Sequence, residues 1–216
     1  MQVINLSDNS TLLLRFLMEL RDKLIQQDSM RFRRNIERIG EIVAYEISKS
    51  LEYKEVDIET PLAKTSVKVP SDNIVLATIL RAGLPYHQGF LNYFDNAENA
   101  FVSAYRQYTS ETEFEIHTEY IASPDLAGKT LIICDPMLAT GSSMEVAFRA
   151  LLQKGTPKRV ILASVLATPQ AIDYLKSMMP DDVVLYTAAI DPVLNEHKYI
   201  VPGLGDAGDL AFGVKL

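Results

Sequence analysis

The sequence predicts an α/β fold with a twisted parallel sheet at its core and an N-terminal helical arm. Three observations carry that prediction. Short, mostly apolar runs mark residues 74–80, 131–134 and, after Lys158-Arg159, the rest of 158–166, as in strands buried on both faces. Each is followed by proline, glycine or small polar residues and then by a helical pattern. Two long amphipathic segments precede the first run. Alternating strands and helices imply parallel pairing through right-handed crossovers.

Residues 11–27 read as the first helix. Leu12, Leu13, Phe16, Leu17, Leu20 and Leu24 recur there at helical spacing. A second helix is expected over 29–51. Phe32, Ile36, Ile39, Val43 and Ile47 make its apolar face, and Ser29 is placed to cap it. Its first turns carry Arg31, Arg33, Arg34 and Arg38. Positive charge there opposes the helix dipole, so anionic partners are expected. Surface or intersubunit carboxylates are the plainer partners; a nucleotide effector is the other. The two helices form an arm over 11–51 suited to a homodimer or higher homo-oligomer.

Residues 53–69 alternate in two short runs split by Thr60-Pro61 and read as a peripheral hairpin. The strand over 74–80 ends at Arg81-Ala-Gly83, and Leu84-Pro85 opens a helix to about 94. Arg81, beside a glycine turn at a strand tip, is placed to meet an anion. Residues 100–104 form the next core strand, ending at Tyr105-Arg106. Residues 112–120 then alternate like a half-exposed hairpin. After the 158–166 strand, Thr168-Pro169 opens a helix to about 179, and a strand follows at 183–186. The tail, 195–209, reads as a loop holding Pro202, Gly203, Gly205 and Gly208. Its acids, Asp206 and Asp209, make it either a lid or a flexible end. No repeat or linker divides the chain, so residues 1–216 are expected to be a single domain.

Composition narrows the function. The net charge of −7 argues against nucleic-acid or membrane partners, so any phosphate site must be local. The single cysteine, Cys134, lies inside an apolar run, which suits a reducing cytoplasm better than a disulfide or a catalytic thiol. No apolar span is long enough to cross a membrane, and no signal peptide is evident.

Residues 131–143 organise the chain: a strand, an acidic tip at Asp135-Pro136, a loop of small residues, then a helix from Met144. Proline supplies no N–H, so the strand is expected to stop there. Small residues let a phosphate approach the backbone. The N–H groups at a helix start face such an anion, and the hydroxyls of Thr140, Ser142 and Ser143 add donors. Spacing alone also fits an ordinary βα turn with serine capping. The stretch is neither a P-loop nor a dinucleotide fingerprint.

The motif Asp135-Pro-Met-Leu-Ala-Thr-Gly141 resembles the phosphoribosyl-pyrophosphate loop of the type I phosphoribosyltransferases. Together with Ile79-Leu-Arg-Ala-Gly83, Asn195-Glu-His197 and Tyr199-Ile-Val-Pro-Gly-Leu-Gly-Asp-Ala-Gly-Asp209, it is similar to the uracil phosphoribosyltransferase branch. The likeness runs from about Phe32 to Gly213. It implies the sheet fold of that family with a small β hood over about 108–121. It also implies pyrimidine salvage, in which uracil and phosphoribosyl pyrophosphate give UMP and pyrophosphate. Magnesium would be carried mainly by the pyrophosphate substrate, with no separate metal residues.

Carried onto this sequence, the resemblance assigns phosphoribosyl pyrophosphate to Arg81, Arg106, Asp135, Pro136, Met137, Leu138, Ala139, Thr140, Gly141, Ser142, Ser143 and Asp206. It assigns catalytic roles to Asp135 and Asp206. Uracil falls to Ile200, Gly205, Asp206 and Ala207. Two departures stand out. Gln107-Tyr108-Thr109 follows Tyr105-Arg106 with no proline until Pro124, and Ser142 stands where the family usually has glycine. If that position needs a positive φ, serine would cost about 1 kcal/mol or more. Two alternatives stay open: a phosphoribosyltransferase for another base, and a non-catalytic phosphoribosyl-pyrophosphate sensor. The net charge argues against the sensor.

Overall fold

The computed structural model describes residues 1–108 and 114–215, with the backbone alone for 104–108 and 114–119. Strand β1 (Gln2–Asn5) comes before the arm and was not expected. Four residues are too few to show alternation. Helix α1 (Leu13–Arg21) is shorter than the pattern over 11–27. The Asp22 carboxylate accepts the amides of Leu24 and Ile25, and 25–27 form a separate 3-10 turn. Helix α2 (Ser29–Ser48) is capped by Asp28, not Ser29: Asp28 Oδ1 accepts the Arg31 amide at 3.0 Å.

Strands β2 (Tyr53–Glu59) and β3 (Lys64–Pro70) form the expected peripheral hairpin. Strand β4 (Ile74–Leu80) matches its apolar run, and α3 (Gly83–Leu91) follows. Strand β5 (Glu98–Tyr108) does not end at Tyr105-Arg106. It runs on and pairs antiparallel with β6 (Phe114–Ala122), which supplies the ladder that extends it. The expected hood falls on this pair, and its residues 109–113 lie outside the described residues.

Strand β7 (Thr130–Cys134) stops as expected, but the ladder resumes two residues later as β8 (Met137–Leu138). Pro136 donates nothing, yet its carbonyl accepts the amides of Val165 at 3.1 Å and Leu166 at 2.9 Å. The proline therefore interrupts the ladder without ending it. Helix α4 (Ser142–Leu152) starts two residues before Met144. Then come β9 (Arg159–Ala167), α5 (Pro169–Met178) and β10 (Val184–Ile190). The tail is not a plain loop. Strands β11 (Val193–Leu194) and β12 (Ile200–Val201) pair antiparallel, and α6 (Ala207–Phe212) follows. Strands of two residues carry no readable period.

The sheet order is β1-β10-β9-β7-β4-β5-β6, with β8 added along β9. All pairs are parallel except β5 with β6. One face is covered by α1, α2 and α3, which bring Leu20, Phe32, Ile36, Tyr86 and Phe90 to Leu76, Ile132 and Ile161. The other is covered by α4 and α5, through Met144, Phe148, Leu151 and Leu175 on Leu131, Ile133 and Leu162. Double cover explains the unbroken apolar runs. It also leaves one free edge for chemistry, at the carboxyl ends of β4, β7, β8, β9 and β10.

Candidate active site

Asp135 stands at the tip of β7, half-buried. Its amide donates to the Ala163 carbonyl at 3.0 Å, and its Oδ1 accepts the Met137 amide at 3.3 Å. Pro136, Met137 and Leu138 carry the chain along β9 to the loop at 139–143. The loop is fixed from behind by α5. The Thr168 hydroxyl donates to the Ala139 carbonyl at 2.7 Å. Thr140 Oγ1 lies 3.2 Å from Ser142 Oγ and accepts the Ser142 amide at 3.4 Å. Gly141 has φ +85°, and a Cβ there would stand 2.9 Å from the Tyr174 ring and 3.2 Å from the Ala171 carbonyl oxygen. Glycine is required on both counts.

Ser142 is the first residue of α4 and has an ordinary negative φ. The positive φ belongs to Gly141, so the strain anticipated for Ser142 does not arise. Gly141 offers no side-chain cap. The first-turn amides of Ser142 and Ser143 therefore lack an intrahelical acceptor, and that of Ser142 turns to Thr140 Oγ1 at 3.4 Å.

Arg81 leaves the neighbouring strand at nearly the same level, since Thr78 of β4 pairs with Cys134 of β7. The Leu80–Arg81 peptide bond is cis. Arg81 Nη2 lies 3.4 Å from Asp209 Oδ1 and donates to the Gly213 carbonyl at 3.2 Å. The tip of β4 and the tail are thus brought together. Arg106 sits on β5 opposite Ile116; its side chain lies outside the described residues.

In the tail, Ile200 is buried and its carbonyl lies against Gly203, where a Cβ would stand 2.1 Å from that oxygen. Leu204 and Ala207 are buried, and Gly205 between them is exposed. Asp206 caps α6, with Oδ1 accepting the Asp209 amide at 3.0 Å. Its Oδ2 lies 4.0 Å from Lys215 Nζ. Sequence reasoning missed three residues around this edge. Thr168 showed itself only as a helix opener. Arg21 and Asp191 form a bidentate pair, at 2.7 and 2.8 Å, with no local signal.

Of the four arginines on α2, two meet carboxylates. Arg31 reaches Glu19 at 3.4 Å, and Arg34 reaches Glu37 at 2.6 Å and Glu41 at 3.3 Å. The other two depart from expectation. Arg33 donates to the Ala211 carbonyl at 2.7 Å. Arg38 donates to Asn35 Oδ1 and stacks over the Phe16 ring. Hydrogen bonds from Asn35 and then Arg15 hold the Glu19 carboxyl down at about 2. Burial pushes the Cys134 thiol well up, so it is a core residue and no nucleophile.

Among the described residues, no three His, Cys, Asp or Glu side chains cluster to hold a metal ion. Asp206 still offers Oδ2, which the cap does not use. One carboxylate oxygen suits a magnesium ion that keeps its waters and arrives on substrate phosphates.

The parallel sheet, with an acid at the tip of β7 and a small-residue loop running into α4, is an α/β fold similar to that of type I phosphoribosyltransferases. Comparison with known proteins narrows this. The family model for uracil phosphoribosyltransferase matches residues 8–214. A uracil phosphoribosyltransferase of Porphyromonas gingivalis is 61% identical over 216 residues, covering 100% of both chains. One from Pyrococcus furiosus is 40% identical over 209 residues, covering 95% of this chain and 88% of the relative. A solved protein structure from Aquifex aeolicus superposes with a TM-score of 0.88 at 30% identity, covering 100% of each chain. The chain belongs to the uracil phosphoribosyltransferase family.

Proposed function

We propose that this protein joins N1 of uracil to C1 of the ribose in phosphoribosyl pyrophosphate, releasing pyrophosphate and the N1 proton and leaving UMP. Family membership and the high identity to named relatives support this reading. The observation that carries it is the meeting of Arg81 with Asp209 at 3.4 Å. That contact sets a guanidinium beside the tail, at the edge where β7 and its loop also end.

In this reading the amides and hydroxyls of 139–143 hold the 5-phosphate. Asp135 accepts from the ribose hydroxyls and stabilises positive charge as the bond from C1 to pyrophosphate breaks. Arg81 and Arg106 grip the pyrophosphate through charge-assisted bonds. Asp206 meets the pyrophosphate with its magnesium, which when bound neutralises the leaving group. The backbone at Ile200, Gly205, Asp206 and Ala207 reads uracil's alternating acceptors and donor. A mispaired base would leave such groups unsatisfied. Incubation with magnesium, phosphoribosyl pyrophosphate and each nucleobase tests the reading. UMP from uracil alone is expected. A different nucleotide would favour another base, and bound phosphoribosyl pyrophosphate without product would favour a sensor.

The protein acts as a homodimer or larger homo-oligomer in the cytoplasm. The β2–β3 hairpin supports the first part. It packs chiefly on itself, and the register puts Val56, Val67, Ile58 and Val69 on one face, with Glu55–Lys68 and Glu59–Lys64 on the other. A two-stranded ribbon with one apolar face needs cover. A nucleotide effector at α2 would have to displace the pairs that already hold Arg31 and Arg34. Buried Cys134 suits a reducing compartment. Among the described residues, no helix is long and apolar enough to cross a membrane.

A further inference from the structure

We infer that Arg21 and Asp191 are positioning residues for the base: they fix the turn from which the tail presents its backbone to uracil. The inference rests on the reading of residues 200–207 as the base site.

Asp191 lies just past β10 and is 4% exposed. Its Oδ1 accepts Arg21 Nη2 at 2.7 Å, and its Oδ2 accepts Arg21 Nη1 at 2.8 Å. Oδ2 also accepts the Gly203 amide at 2.9 Å, while Arg21 Nη1 donates to the Gly203 carbonyl at 3.0 Å. Both polar groups of Gly203 are therefore held by one ion pair. The planar fork of arginine suits this; an ammonium would not span it.

Gly203 is the hinge of the tail. Its φ of +58° and the Ile200 oxygen leave no room for a side chain. Only Leu204, sunk in the core, and exposed Gly205 separate it from the Asp206 cap. The Gly205 peptide is thus braced on both sides, by the clamp before it and by α6 after it. The clamp has its own foundation: the Asp191 amide donates to the Ala167 carbonyl at 2.9 Å, beside Thr168, which holds Ala139. The base turn and the phosphate loop are mounted on the same strand end. Leu13, Leu17 and Leu20 fix α1 to the core without the clamp, so its loss acts on the tail rather than on the sheet.

The test is to measure Arg21→Met, Asp191→Asn and the double variant by separate titration of uracil and phosphoribosyl pyrophosphate. Thermal unfolding and amide exchange at residues 203–205 are followed in parallel. Arg21→Lys, which keeps charge but loses the fork, covers the case in which Arg21→Met does not fold. The expected result is a rise of about tenfold or more in KM for uracil, with KM for phosphoribosyl pyrophosphate changed less than about twofold. Exchange at Gly203 should quicken. The double variant should be no worse than the worse single one, because both remove one device. A purely structural role would move both KM values together, and that result, or unchanged KM for uracil in folded variants, overturns the inference. Ala207→Leu run alongside separates the causes. If it leaves uracil use normal, the base reading has failed and the clamp's role falls with it. If it blocks uracil while Arg21→Met does not, only the clamp is wrong.

Discussion

The Thr168 hydroxyl donates to the Ala139 carbonyl across 2.7 Å while it accepts the Ala171 amide at 3.0 Å. One buried side chain thus caps α5 and fixes the back of the loop at 139–143. Thr168→Val keeps the shape and removes both bonds. Losing a buried hydrogen bond costs about 1–3 kcal/mol. The expected outcome is a lower melting temperature together with a higher KM for phosphoribosyl pyrophosphate. Thr168→Ser, which restores the hydroxyl, should recover most of both. Steady-state kinetics and thermal unfolding of the two variants check this.

Asp135→Asn should leave the fold intact and cut turnover far more than affinity for phosphoribosyl pyrophosphate. The amide keeps an oxygen for the Met137 amide, so the tip of β7 holds. What is lost is negative charge where the ribose becomes positive. Near-normal kcat in a folded variant would remove Asp135 from the chemistry.

Ser142 illustrates what sequence alone leaves open. Position 142 starts α4, and the left-handed residue is Gly141. Ser142→Gly should therefore change stability by no more than about 0.5 kcal/mol, while the loss of one hydroxyl donor should raise KM for phosphoribosyl pyrophosphate by about two- to tenfold. Gly141→Ala should fail, because its φ is +85° and its Cβ would press on Tyr174 and the Ala171 carbonyl. Urea unfolding and kinetics of the pair distinguish the two positions.

Legibility followed how local the signal was. The strand over Ile74–Leu80 was readable to the residue because both its faces are buried, which leaves a continuous apolar run. Strand β1 was not, since four residues at a sheet edge look like any coil. The strand, loop and helix over 131–143 were readable as a contiguous motif, because they follow one another along the chain. The hairpin at β11 and β12 was not, because its closure depends on Asn195, whose Oδ1 accepts the Tyr199 amide at 2.8 Å. Arg21 and Asp191 stand 170 positions apart, and only the fold brings them together.

His87 should make the fold less stable at mildly acidic pH. Its ring is buried on α3 beside Phe101, and burial pushes its pKa below the ordinary 6.5. Hydrogen bonding to Asn99 and to the Leu76 backbone works the other way and is outweighed by burial. The sign follows from linkage. Below 6.5 the unfolded chain takes up a proton that the folded chain still refuses, so stability is full above 6.5 and falls as pH drops. The slope from one such group is at most about 1.4 kcal/mol per pH unit. In urea unfolding between pH 8 and 5.5, His87→Phe should show a shallower fall than the parent. Equal slopes would mean His87 is protonated as easily folded as unfolded.

Asp206 carries two separable roles, and two substitutions divide them. Its Oδ1 caps α6 by accepting the Asp209 amide, while the proposed function gives Oδ2 the magnesium and pyrophosphate of the substrate. Asparagine caps a helix about as well as aspartate; alanine does not and costs about 1 kcal/mol. Asp206→Asn should therefore melt like the parent yet use magnesium phosphoribosyl pyrophosphate poorly, because only the charge has gone. Asp206→Ala should lose stability as well, and α6 should fray. Fraying would also loosen Asp209 from Arg81, now 3.4 Å away, so Asp206→Ala should affect pyrophosphate use more than Asp206→Asn does. Measuring melting temperature and the magnesium dependence of turnover for both variants gives a two-by-two result. If Asp206→Asn is fully active while Asp206→Ala is not, the residue serves only as the cap. If both lose activity with unchanged melting temperature, its charge matters and the cap contributes little.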